Sequence, residues 1–149
     1  MSLASRIEGD YIRVYKAKDA VRLGVLRLLK TAVTNFQKDQ MREPEDDDVL
    51  DIIVRQCKQR QDSIEQYTSA GRPELAAKEA AEMAVLKEYL PAPLEGDDLI
   101  SAIREAVAVV GATGMRDMSK VVEKLMTDHK GRVDGKAASN VVKSVLQSL

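Results

Sequence analysis

The sequence predicts an all-α protein, and three observations carry that reading. Ala, Leu, Val, Lys and Glu are abundant, whereas aromatic residues are limited to four Tyr and one Phe, with no Trp. That mixture favours helices packed through aliphatic side chains. Apolar residues recur every three or four positions through successive segments, the period of an amphipathic helix. Alternation of polar and apolar residues, the mark of a half-buried strand, never persists for more than a few positions. "VAVVGA" (107–112) is the best strand candidate, but it continues the helical face that precedes it. The expected architecture is a four-helix N-terminal domain over residues 1–91, followed by a three-helix tail domain over 92–149.

The elements follow in order. Leu3, Ile7, Tyr11 and Val14 mark a first helix to about Lys18. Asp19 is placed to cap a second, in which Leu26, Leu29, Val33 and Phe36 share a face. "MREPEDDD" interrupts the period, and its carboxylates suit the positive end of a third helix carrying Val49, Leu50, Ile53, Cys57, Ile64 and Tyr67. "AGRPE" then punctuates the chain. Gly71 suits the left-handed position after a helix, and Pro73 suits the first turn of the next. That fourth helix, with Leu75, Met83, Leu86 and Tyr89, stops at "YLPAPL", where Pro91 and Pro93 cannot continue it.

In the tail, Asp97 or Asp98 is expected to cap a helix carrying Leu99, Ile103, Val107 and Val110 and ending at Gly111. A second runs from about Arg116 to Lys130 and buries Met118, Val121, Val122, Leu125 and Met126. The third starts near Lys136 and offers Val141, Val142, Val145, Leu146 and Leu149. So small a unit lies near the lower size limit for an independent core.

Composition excludes several functions. The net charge of −1 gives no global attraction to polyanions, and so few aromatics make a large base-stacking platform unexpected. Cys57 is alone, so no internal disulfide forms. The charged N-terminal stretch lacks the apolar core of a signal peptide, and no run approaches the roughly 20 apolar residues of a membrane span. A cytoplasmic location, with no membrane partner, is expected.

No motif in the chain matches a known metal, nucleotide or nucleophile pattern. One His and one Cys, far apart, give no zinc spacing, and "EPEDDD" lacks the interleaved ligands and glycine of a calcium loop. Cys57 on an apolar stripe reads as a core side chain, and His129 as a favourable charge at a helix C-terminus. "GATG" and "GRVDGK" match neither the dinucleotide nor the P-loop spacing. No cofactor, metal ligand or catalytic residue is expected. In "RQCKQRQDSIEQYTSAGR", Arg55, Lys58 and Arg60 alternate with glutamines, and a Lys58–Asp62 pair would make this an ordinary solvated face.

Charge is more telling near the end. Residues 111–149 hold seven Lys and Arg against four acids. Arg116, Lys120 and Lys124 are four apart, which would set them on one helix face opposite Val121 and Leu125. Lys130, Arg132 and Lys136 follow within "HKGRVDGK" (129–136). These six cations are the candidate nucleic-acid contacts, a basic stripe ending in a basic turn. Composition alone leaves simple solubility as an equal explanation.

"KQRQDSIEQYTSAGRPELAAKEAAEMAVLKEYLP" (58–91), "DMSKVVEKLM" (117–126) and "KGRVDGK" (130–136) together resemble the GatB/YqeY family. The opening, from Met1 to Asn35, resembles that family's start, so the likeness covers nearly the whole chain. The resemblance implies a helical domain and a small tail domain, the same two units that end the B subunit of the glutamine-dependent tRNA amidotransferase. There they help hold the tRNA, while kinase and amide-transfer chemistry belongs to a separate cradle domain. Related tails are fused to some glutaminyl-tRNA synthetases. The resemblance therefore implies tRNA as partner, with an amidotransferase or synthetase beside it. Carbon–nitrogen ligase activity would belong to such a complex, and nothing here supports catalysis by this chain alone. Ser119 replaces a frequent Gly of the family pattern, Glu123 a small residue, and Thr127 a frequent Pro, so the second tail helix should end less abruptly. The competing expectation is a protein-interaction module that docks a partner through its helical faces without RNA.

Overall fold

The computed structural model describes residues 1–149 and contains seven α-helices and no strand. The chain divides into two compact units, Met1–Leu90 and Pro91–Leu149.

The N-terminal unit comprises α1 (Leu3–Ala17), α2 (Ala20–Gln40), α3 (Asp46–Ser69) and α4 (Pro73–Lys87). Local chemistry sets each start. The Ser2 hydroxyl accepts the Ser5 N–H at 3.1 Å, and the Asp19 carboxylate accepts the Arg22 N–H at 3.1 Å. At α3, Asp46, Asp47 and Asp48 fill the first turn, and the Asp48 carboxylate reaches back to the Glu45 N–H at 2.8 Å. Gly71, at φ +71°, reverses the chain before Pro73 opens α4.

The core of this unit joins Ile7 of α1, Val25, Leu26 and Leu29 of α2, Val49, Ile52 and Ile53 of α3, and Val85 and Leu86 of α4. Polar side chains fasten its edges. The Arg22 guanidinium grips the Glu88 carboxylate through two bonds of 2.5 and 3.0 Å. The buried Tyr89 donates its hydroxyl to Asp10 at 2.6 Å, beneath the Arg6 guanidinium, which lies 4.7 Å above the ring. Burial pushes the Tyr89 phenol up from its ordinary value, so it stays a donor.

The C-terminal unit comprises α5 (Gly96–Val110), a single 3-10 turn (Met115–Asp117), α6 (Met118–Asp128) and α7 (Gly135–Gln147). Its core is small and aliphatic: Ala102, Ile103, Ala106 and Val107 of α5 meet Val121 and Leu125 of α6, Val133, and Ala138, Val142 and Leu146 of α7. Two expectations are corrected. Asp97 and Asp98 do not cap α5; Glu95 holds that position and both aspartates lie in the first turn, where their charge still favours the helix end. The second tail helix, Met118–Asp128, is shorter than Arg116–Lys130; at its start the Asp117 carboxylate accepts the Thr113 N–H at 3.0 Å and folds 113–117 into a tight turn. Asp134 caps α7, accepting the Lys136 N–H at 3.0 Å.

Candidate nucleic-acid interface

The six candidate cations occupy three adjoining pieces of the C-terminal unit: the 3-10 turn, α6, and the turn into α7. Arg116 is exposed and stands on the 3-10 turn that runs into the helix of Lys120 and Lys124. Lys120 is exposed on α6. Lys124 is three residues from Val121 and so flanks the buried stripe, about 60° away, rather than opposing it. It is half-buried and pairs with Asp128 at 3.1 Å, one turn on. The predicted stripe therefore spans two elements, with Arg116 on the turn, Lys120 exposed on α6 and Lys124 paired locally.

Backbone geometry organises the second cluster. The Arg132 N–H donates to the His129 carbonyl at 2.9 Å, closing a four-residue turn. Gly131 is its third residue, at φ +77°, a conformation that a side chain would strain. Arg132 then does structural work that no spacing foretold. Its Nε donates to the Ala92 carbonyl at 2.8 Å, and its own carbonyl accepts the Leu94 N–H at 2.9 Å. The turn is thereby stitched to the segment leading into α5. Val133 is buried beneath it, leaving Lys130 half-buried and Lys136 exposed in the first turn of α7. Lys143, also exposed, lies two helical turns beyond Lys136 on the same face, with Asn140 between them.

The departures from the family pattern also find their places. Ser119 and Glu123 are exposed on α6. The Thr127 hydroxyl donates to the Glu123 carbonyl at 2.9 Å, and α6 continues through Thr127 to Asp128.

The remaining sequence candidates resolve as architecture. Burial pushes the Cys57 thiol up, an effect that the Lys87 and Arg60 charges only partly offset, so the neutral thiol is favoured. The acidic stretch before α3 is a fastened helix start. Asp46 accepts the Leu3 N–H at 2.8 Å, and Asp48 takes a two-bond grip from Arg42 at 2.8 and 3.2 Å. No group of three or more His, Cys, Asp or Glu side chains converges as a metal site would require, and no helix is long and apolar enough to cross a membrane. In the central segment, Arg60 is not a surface cation. Its side chain is 11% exposed and bonds to Glu79 of α4 at 3.2 Å and to Glu82. Arg60 thus joins α3 to α4, where helix-surface pairing such as Lys58–Asp62 and a neighbouring Arg–Glu pair was expected.

Comparison with known proteins agrees with the family resemblance and corrects one expectation. The altered inheritance of mitochondria protein 41 of Pyrenophora tritici-repentis is 26% identical over 143 residues, covering 95% of this chain and 79% of that protein. The proteins of the same name from Saccharomyces cerevisiae (strain YJM789) and Lachancea thermotolerans are each 29% identical over 87 residues. Those matches cover 58% of this chain and 47% and 46% of the two proteins, so the alignment spans about half their length. All three relatives are named as mitochondrial, which overturns the cytoplasmic location expected from the N-terminal sequence. Residues 4–146 match the profile of the YqeY-like proteins, and the chain belongs to that family.

Proposed function

We propose that this protein is a non-catalytic tRNA-binding accessory factor, working beside a tRNA amidotransferase or a glutaminyl-tRNA synthetase. The observation that carries the reading is the gathering of cations in the C-terminal unit, where Arg116, Lys120, Lys136 and Lys143 are exposed. Ammonium and guanidinium groups spaced along a turn and two helix surfaces suit the regular phosphates of a folded RNA backbone. Contacts of that kind select shape rather than sequence, because they do not read base edges. Arg132 has a double role in this scheme: it holds the basic turn in place and presents a guanidinium there. Organellar translation is the setting that fits relatives named as mitochondrial.

The test is binding of folded tRNA at low salt to the whole protein and to a Lys120→Ala/Lys136→Ala double variant. Both side chains are exposed. The reading expects binding by the parent and an affinity loss of several-fold or more in the variant. Equal binding, or none by either protein, contradicts it, and retained capture of a protein partner without RNA would favour the docking-module alternative.

A further inference from the structure

The N-terminal unit carries an aromatic and basic surface that its own packing does not explain. Tyr15 of α1 is 61% exposed and Ile12 is 49% exposed, although the apolar stripe of the same helix packs into the core through Leu3, Ile7 and Val14. Tyr15 lies beside Tyr11, with ring centroids 6.4 Å apart and planes tilted by 37°. Tyr11 is half-buried against the core, so Tyr15 is the open ring of the two.

Exposed cations gather around this pair. From Tyr11 to Lys18 the sequence holds Arg13, Lys16 and Lys18 and no acid. From α2, the Lys30 ammonium lies 4.2 Å above the Tyr11 ring. Arg27 precedes Lys30 by three residues and so shares its flank of α2. Because α1 turns back into α2 at Lys18 and Asp19, Arg27 stands toward the Tyr15 end. The nearby acids are engaged: Glu8 with Lys30, Asp10 with Arg13 and the Tyr89 hydroxyl, and Asp19 with Arg22 and the start of α2. Lys16, Lys18 and Arg27 face solvent.

We infer that the surface around Tyr15 is a stacking site for an unpaired nucleotide of an RNA strand, with Lys16, Lys18 and Arg27 taking the adjacent phosphates. An open phenol ring accepts any base face, and flanking cations follow the backbone. A lipid surface suits the patch less well. A helix lying in a membrane interface needs a continuous free apolar stripe, and that of α1 is occupied by the core. The inference deepens the RNA-binding reading but rests on different residues in the other unit.

The experiment is fluorescence anisotropy of a labelled single-stranded oligoadenylate of about 12 nucleotides with the full chain at low salt. Tyr15→Ala should weaken binding about tenfold or more, whereas Tyr15→Phe, which keeps the ring, should stay within about twofold. Lys16→Ala/Lys18→Ala should weaken binding and flatten its salt dependence. Absence of oligonucleotide binding, or equal affinity of Tyr15→Ala and the parent, overturns the inference. So does Tyr15-dependent sedimentation with phosphatidylglycerol vesicles when the oligonucleotide does not bind. Loss of oligonucleotide binding with folded-tRNA binding intact sinks this site alone, and the reverse pattern sinks the tail reading alone.

Discussion

In the N-terminal unit, cations reach across helices. Arg22 of α2 holds Glu88 beyond α4, Arg60 of α3 holds Glu79 and Glu82 of α4, and Lys30 of α2 holds Glu8 of α1. In the C-terminal unit, Lys124 pairs within its own helix, and the long-range polar contact of Arg132 is made to a backbone carbonyl. The first unit therefore spends much of its positive charge on architecture. The second relies on a small core of Ala, Val, Ile and Leu and carries lysines at its surface. The proposed tRNA contacts draw on that exposed charge.

The comparison can be broken first at the cores. Leu29 and Leu125 are both 0% exposed, one in each unit. Either Leu→Ala change should cost about 2–5 kcal/mol. Leu125→Ala should melt the C-terminal unit selectively, because a core of that size has little stability in reserve. Hydrogen exchange resolved by segment checks this: amides of α5 to α7 should lose protection while those of α2 and α3 keep theirs. Uniform loss across both units would mean that the units do not differ in this way.

A smaller effect is expected at the α3–α4 ion pair. Arg60→Ala leaves Glu79 and Glu82 facing one another with their cation gone, and should cost about 2–3 kcal/mol in urea unfolding. A change under about 0.5 kcal/mol, the usual size for a surface substitution, would return Arg60 to the ordinary solvated face that composition suggests. Arg132→Ala should be milder, about 1 kcal/mol, since it removes one exposed side-chain bond to the Ala92 carbonyl. Its mark would be faster amide exchange at Leu94, and unchanged exchange there would remove the structural half of Arg132's role.

The smallest effect concerns pH. The Arg22 hydrogen bond holds the Glu88 carboxyl below its ordinary range, against a lesser opposing effect of desolvation. A depressed carboxyl adds stability above the unfolded pKa, near 4.3, and loses it as pH falls through the folded value. The pair is about half exposed, so the contribution should stay below about 1 kcal/mol. Urea titrations between roughly pH 3 and 7 should show Arg22→Ala and the parent differing most at neutral pH and converging in acid. A constant difference across that range would assign the effect to packing.

How much of this was legible in the sequence depends on the range of the interaction. Helical period and short-range caps were readable, since Ser, Asp, Gly and Pro act on backbone groups within a few residues. Asp19, Gly71, Pro73 and Asp134 sit where that chemistry sends them. The tail core was read through its large residues, whereas Ala102, Ala106 and Ala138 are buried too and escaped notice because a methyl group marks no stripe. Long cations were the least readable. The partners of Arg60 lie 19 and 22 residues away and that of Arg132 lies 40 away, on elements that meet only after folding. Arg116 stands on a 3-10 turn where a helix was expected, and the Asp117 carboxylate ties that turn to the Thr113 N–H. Tyr15 was missed for a related reason: scarcity of aromatics argued against a large stacking platform, but one exposed ring suffices for a single base.

The most direct test of the central claim is the salt dependence of tRNA affinity in the parent and in the Lys120→Ala/Lys136→Ala variant. If these lysines neutralise backbone phosphates, log affinity should fall linearly with log salt, and the variant's slope should be shallower by about 0.7–0.9 for each contact removed. Parallel lines for the two proteins, or tRNA affinity indifferent to salt, would contradict the account.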